Sequence, residues 1–188
     1  MKLKRLLKMV TVPWKYFYAL FAPEAYARSC GVHLGKGTRI YGSSYTMFST
    51  DPFLVRIGRN THIVQKTVFI THDGGTLALR HLVPDLEITK PITVGDNCYL
   101  GMGVLVLPGV NIGNNVVIGA GSIVTRDIPD NSVAAGVPAK VIKTIDQYRE
   151  KLEQESLHLG HLPGREKAVR LQEIYKDFIE DAKEYVKY

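Results

Sequence analysis

Between residues 94 and 129 an aliphatic residue returns at every sixth position. Read in sixes, the stretch is VGDNCY, LGMGVL, VLPGVN, IGNNVV, IGAGSI and VTRDIP. The first column holds Val94, Leu100, Val106, Ile112, Ile118 and Val124; the fifth holds Cys98, Val104, Val110, Val116, Ser122 and Ile128. A helix repeats near 3.6 residues and a half-buried strand every two, so neither accounts for six. Six residues suffice for one short strand and one tight turn. β-branched residues suit the pleated, half-buried surface. Gly and Asn in the second to fourth columns, such as Gly95, Asn97, Gly103, Asn115 and Gly121, accept positive φ at a corner. Columns one and five then point inward together. A single repeat cannot bury its own face, so successive coils must cover one another.

The same beat begins at Leu34 (LGKGTR) and Ile40 (IYGSSY), is lost over residues 46–56, and resumes at Ile57, Ile63 and Phe69. It is broken again over 73–91, a segment opened by Gly74 and Gly75 and closed by Pro91. A loop of that length in a compact domain is usually functional. Upstream, residues 2–10 and 14–28 are predicted as two helical pieces broken at Pro13, the second crowded with Trp14, Tyr16, Phe17, Tyr18 and Phe21. Repeat stacks need end caps, so residues 1–30 are read as a helical cap. A basic, aromatic membrane-surface contact through residues 1–22 is the sharper alternative. Downstream, residues 144–188 are read as a helical extension. It comprises a charged helix, a break at Gly160–Gly164, and an amphipathic helix over 165–186 with a buried stripe of Leu171, Ile174, Tyr175, Phe178, Ala182 and Tyr185. The coil itself is assigned to residues 31–143.

The formal charge of +6 is uneven: residues 1–30 carry six Lys/Arg against Glu24 alone, whereas 144–188 carry eight against ten Asp/Glu. A basic body suits an anionic partner. Stacking aromatics do not alternate with the coil's cations, which argues against nucleic acid. No apolar run reaches transmembrane length, and Pro13 and Lys15 interrupt what would be a signal-peptide core. Two cysteines, Cys98 in an inward column and Cys30 before a turn, fit a reduced compartment. The expected location is cytoplasmic, with attachment to the inner face of the membrane as the alternative that goes with a surface-binding N-terminus.

The repeat run, the closing GAGSIVTRDIP and AAGVPAKVIK, and ITHDGG just before the loop together resemble the hexapeptide-repeat acyltransferases. The likeness covers about residues 31–145 and is strongest to the galactoside, maltose and polysaccharide O-acetyltransferase branch. It implies a mainly β fold: a left-handed parallel β-helix of triangular section with three sixes per turn. That handedness departs from the general crossover rule. The resemblance further implies a homotrimer, acetyl-CoA as acyl donor, a sugar or glycan-precursor hydroxyl as acceptor, and no metal.

Acetyl transfer to a hydroxyl needs a base for the departing proton, and neutral histidine suits this near pH 7. His72 stands where the family's catalytic histidine stands; read alone, it is equally a polar residue at a strand end. By resemblance Ala120 and Thr125 line the pantetheine arm, while Arg126, Lys140 and Lys143 approach the phosphates. Met102 occupies the place of a small polar residue beside the thioester, leaving a backbone N–H to face the oxyanion. Tyr99 falls where relatives often carry tryptophan near the acetyl group. Asp51, Asp73, His81 and Tyr99 are candidates for the acceptor, and Asp51 also for orienting His72. Three rivals use the same coil. One is an acetyltransferase for a xenobiotic or an amino acid. Another is a zinc hydratase, needing His62, His72 and His81 on one metal. The third is a non-catalytic coil.

Overall fold

A computed structural model describes residues 2–185, with side chains over 12–182. The chain forms two compact units, Met1–Tyr148 and Arg149–Tyr188. The first opens with α1 (Lys2–Phe21) and α2 (Pro23–Ser29). Here the structure corrects the expected break. Pro13 lies inside a continuous helix, where it removes one backbone donor and crowds the preceding turn. The chain instead leaves the helix at Ala22, which takes φ −139° ahead of Pro23. A residue before proline is driven out of the α region.

Short strands then wind into a three-sided coil. They are β1 (His33–Leu34), β2 (Arg39–Ile40), β3 (Val55–Ile57), β4 (His62–Ile63), β5 (Val68–Phe69), β6 (Ile92–Val94), β7 (Tyr99–Leu100), β8 (Leu105–Val106), β9 (Asn111–Ile112), β10 (Val117–Ile118), β11 (Ile123–Val124), β12 (Ser132–Gly136) and β13 (Ala139–Thr144). One side stacks β1-β3-β6-β9, the second β2-β4-β7-β10-β12-β13, and the third β5-β8-β11. All pairings are parallel except β12 with β13. Val94 pairs with Ile112, Leu100 with Ile118 and Val106 with Val124. Each pair is 18 residues apart, so one turn is three sixes. Every residue of columns one and five is buried, at about 1.5–3 kcal/mol for each large aliphatic side chain removed from water. Two of the threonine hydroxyls that share the interior bond the backbone of the next coil: Thr61 Oγ1 donates to Gly95 O at 3.0 Å and Thr67 Oγ1 to Gly101 O at 3.2 Å. Burial also pushes the Cys98 thiol up, so it stays protonated and packs as a small apolar group.

Side chains stack at the corners too. Asn60, Asn97, Asn115 and Asn131 all take φ between 52° and 56°, a region in which asparagine is among the few tolerated side chains. Their amides form a ladder: Asn60 Nδ2 donates to Asn97 Oδ1 at 3.0 Å, Asn97 to Asn115 at 3.2 Å and Asn115 to Asn131 at 2.8 Å. Beside it, Asp96 Oδ1 accepts from Arg59 N, and Arg59 Nη2 reaches Asp96 Oδ2 at 2.6 Å. The Arg59 bond holds the Asp96 carboxyl below the usual range.

Two departures from the beat matter for the site. Residues 46–56, where no repeat was legible, still supply a third side to the first turn. Phe48 bridges Phe69 in parallel, Phe69 N donates to Met47 O at 2.7 Å and Ser49 N to Phe69 O at 3.1 Å. The 73–91 loop is zipped at its base, where His72 bridges Thr89 and Asp73 N donates to Ile88 O. After β13 come α3 (Ile145–Glu155), α4 (Gly164–Ile174) and α5 (Lys176–Tyr185). The single helix expected over 165–186 is two, because Tyr175 leaves helical geometry at φ −104°, ψ 26°. Of the stripe expected to be buried, Leu171 is half-buried, Ile174, Tyr175 and Phe178 are exposed, and the side chain of Tyr185 lies outside the described residues.

Candidate active site

His72 follows β5 at the corner between the third and first sides, with the preceding Thr71 fully buried. Alternation along an extended segment turns adjacent residues to opposite sides, so Thr71 enters the core while His72 is half-buried at the edge. The Phe48–Phe69 bridge brings residues 49–51 alongside. Ser49 Oγ lies 3.1 Å and Thr50 Oγ1 3.3 Å from His72 Nδ1. Thr50 Oγ1 donates its one proton to Asp51 Oδ2 at 2.9 Å. Its oxygen therefore faces the ring as an acceptor, and the network favours the tautomer with hydrogen on Nδ1. The lone pair is then on Nε2, away from this cluster. Asp51 sits at the N-cap of the 3₁₀ turn Pro52–Leu54 yet makes no capping bond; its carboxylate turns to Thr50 instead.

The other expected residues fall into separate places. Asp73 caps the 3₁₀ turn Gly74–Leu79, accepting from Gly75 N at 2.9 Å. That is a turn contact, with no bond to the neighbouring imidazole. His81 is exposed, with Nδ1 3.0 Å from Ala78 O. Tyr99 is exposed on the second side, in register between His62 and Val117. Met102 and Ala120 occupy equivalent corners between the second and third sides, tied by Gly121 N donating to Met102 O at 2.8 Å. Thr125 and Arg126 follow β11 at the same edge as His72, two turns on, both exposed. Lys140 and Lys143 lie on β13. One chain thus gathers Ser49, Thr50, Asp51 and His72, whereas the third side separates that edge from Met102 and Ala120. The three histidines of the hydratase reading do not meet. His62 Nδ1 is held 2.8 Å from Tyr41 OH on the second side, and no three potential ligands cluster among the described residues.

A CoA-type donor needs a slender path over backbone and cations at one end. Gly103 and Gly121 take φ 71° and 70° at stacked corners, and a Cβ at either would meet nothing within 4 Å. This leaves backbone open beside Met102 and Ala120, and Lys140 is exposed on β13, whereas the exposed Arg126 lies across the third side on the His72 edge. The open backbone fits the arm of such a ligand, and the cations are divided between the two edges.

Sequence reasoning missed Ser49 and Thr50. The available signal was weak: apolar Met47 and Phe48, 21 residues before Val68 and Phe69, without the Gly or Asn corner that marks the other repeats.

The family described as Bacterial transferase hexapeptide (six repeats) matches residues 91–126. The chain is 38% identical over 150 residues to Protein CapG of Staphylococcus aureus, covering 80% of this chain and 87% of that one. It is 39% identical over 124 residues to the Galactoside O-acetyltransferase of Escherichia coli K12, covering 66% of this chain but only 59% of that protein. A solved hexapeptide-repeat-containing acetyltransferase from Vibrio cholerae superposes with a TM-score of 0.50 over 75% of this chain and 92% of its own, at 20% identity; that likeness speaks to fold alone. Six-residue columns buried throughout, 18-residue turns and these matches agree: the chain belongs to the hexapeptide-repeat acyltransferase family, whose coils are of the left-handed β-helix type.

Proposed function

We propose that this protein is an acetyl-CoA-dependent O-acetyltransferase whose acceptor is a hydroxyl of a sugar or glycan precursor, with His72 as general base. The observation that carries the reading is the environment of His72. Thr50, itself bonded to Asp51, favours the Nδ1–H tautomer and leaves Nε2 to take the acceptor proton. Acetyl-CoA, when bound, supplies the acetyl thioester. Met102 and Ala120 offer its arm an open backbone path at one edge, Thr125 and Arg126 meet it from the His72 edge of a neighbouring copy, and Lys140 and Lys143 add cations for its phosphates. The E. coli relative named a galactoside O-acetyltransferase supports a sugar acceptor. Asp51, Asp73, His81 and Tyr99 remain the candidates for holding that acceptor.

The protein works as a homotrimer in this reading. The donor corner at Met102 and Ala120 and the base at His72 lie on different edges of one coil, so a neighbouring copy must bring a second donor corner to the His72 edge. The free Cys30 and buried free Cys98 agree with a cytoplasmic setting.

The test is acetyl-CoA turnover against sugars, sugar nucleotides and lipid-linked oligosaccharides, with amino acids and amine xenobiotics as the competing arm. Thiol release above hydrolysis with a sugar-bearing acceptor is expected; turnover confined to amines would sink the sugar reading. Thr50 is a positioning residue with its own prediction. Thr50→Val should lower kcat about tenfold, on the scale of lost support for a working imidazole, with the KM for acetyl-CoA unchanged. Thr50→Ser should restore kcat. An unaltered kcat in Thr50→Val would remove the hydroxyl from the mechanism.

A further inference from the structure

Near its C-terminal end α1 packs onto the coil through one side only. Ala19 is fully buried, its carbonyl accepts from Ser44 N at 3.2 Å, and the Tyr16 ring meets the edge of Tyr45 at 6.0 Å. The apolar stripe lies elsewhere. Trp14 is 76% exposed and Phe21 80%, Phe17 stacks on Phe21 at 6.3 Å, and with Tyr18 they line one shallow apolar hollow. In sequence the spacing of Trp14, Phe17 and Phe21 runs back through Val10, Leu7 and Leu3. The exposed part of the stripe, Trp14, Phe17 and Phe21, is too large a feature to be incidental. Its charge decides what covers it. Lys2, Lys4, Arg5, Lys8 and Lys15 all lie within α1, with no Asp or Glu. Packing copies of α1 together would crowd those cations with no carboxylate in the helix to offset them. An apolar groove on another protein would gain nothing from them. An anionic surface with an apolar layer beneath satisfies both faces at once.

We propose that α1 docks this protein on an anionic phospholipid surface. The helix lies in the membrane plane, its aromatic stripe at the headgroup–acyl boundary and its lysines and arginine against lipid phosphates. Among the described residues no helix is long and apolar enough to cross a membrane, so the contact is peripheral. It stands independently of the acetyl-transfer reading.

Trp14 is the chain's single tryptophan and reports directly. The full chain is mixed with vesicles of phosphatidylcholine alone, or with about one third phosphatidylglycerol, while Trp14 emission and vesicle flotation are followed. A blue shift and flotation with the anionic vesicles are expected, falling at least about tenfold with neutral vesicles or in about 1 M salt. Phe17→Ser/Phe21→Ser should weaken binding about tenfold with an unchanged Tm, and Lys4→Gln/Lys8→Gln should erase the preference for anionic lipid. Equal binding to neutral vesicles, or none to anionic ones, overturns the proposal. So does emission already blue-shifted without lipid and unmoved by it, which would mean that a second copy covers the stripe.

Discussion

His72→Ala is expected to lower kcat/KM for acetyl transfer by about 10²–10⁴, the usual contribution of a positioned general base. Binding of acetyl-CoA should change by no more than about twofold. The two halves of that expectation come from different parts of the coil. The imidazole stands at the corner after β5, half-buried, with its Nδ1 side facing Ser49 and Thr50. The corners proposed for the donor, at Met102, Ala120, Thr125 and Arg126, belong to later turns and touch none of those atoms. Removing the ring also takes nothing from the core, since Phe69 and Thr71 are the fully buried residues of that segment. The Tm should therefore stay close to that of the parent. Isothermal titration with acetyl-CoA beside a thiol-release assay separates the outcomes. Turnover retained in His72→Ala would take the residue out of the chemistry; donor binding lost with it would move the donor groove to the wrong edge.

What the sequence disclosed, and what it hid, follows from where a six-residue constraint acts. Inward columns take aliphatic or small residues in every turn, so Val94 to Ile128 announces its own burial. Corners that need positive φ admit few residues, so Asn97, Gly103, Asn115 and Gly121 announce the turns. The constraint lapses wherever the chain leaves the coil. Met47–Ser49 forms a side with no Gly or Asn corner, and its pairing to Phe69 is 21 residues long rather than 18; spacing could not find it. The partners of His72 come from that segment and were hidden with it. His72 itself was legible only through ITHDGG, because a lone polar residue after a strand has many ordinary explanations. At the N-terminus, Pro13 was a misleading stop: the helix runs through it, and ends instead at Ala22, which leaves helical geometry at φ −139°, ψ 62° before Pro23. The division of α4 from α5 at Tyr175 left no such mark in the sequence.

Phe69→Ala tests whether fold and site are coupled through the segment that spacing could not see. Phe69 is fully buried, and its ring stacks on Phe48 at 5.3 Å with planes 7° apart. Its backbone bonds both Met47 and Ser49. Truncation leaves a cavity in a coil whose turns cannot slide together, because each is held by the ladder hydrogen bonds of its neighbours. The expected cost is about 3–5 kcal/mol in denaturant unfolding. A merely destabilised coil would keep full activity at temperatures where it stays folded. Here activity should fall as well, because losing the ring loosens Phe48 and with it Ser49 and Thr50, whose hydroxyls lie against His72 Nδ1. Phe69→Leu keeps most of the volume and should cost under about 1.5 kcal/mol while preserving turnover. The ¹⁵N chemical shifts of His72 give the deciding measurement. In folded Phe69→Ala they should move from a single Nδ1–H tautomer toward a mixture, while the shifts of His62, held by Tyr41 on another side, stay in place. Unmoved His72 shifts with normal turnover would leave Phe69 a core residue and nothing more.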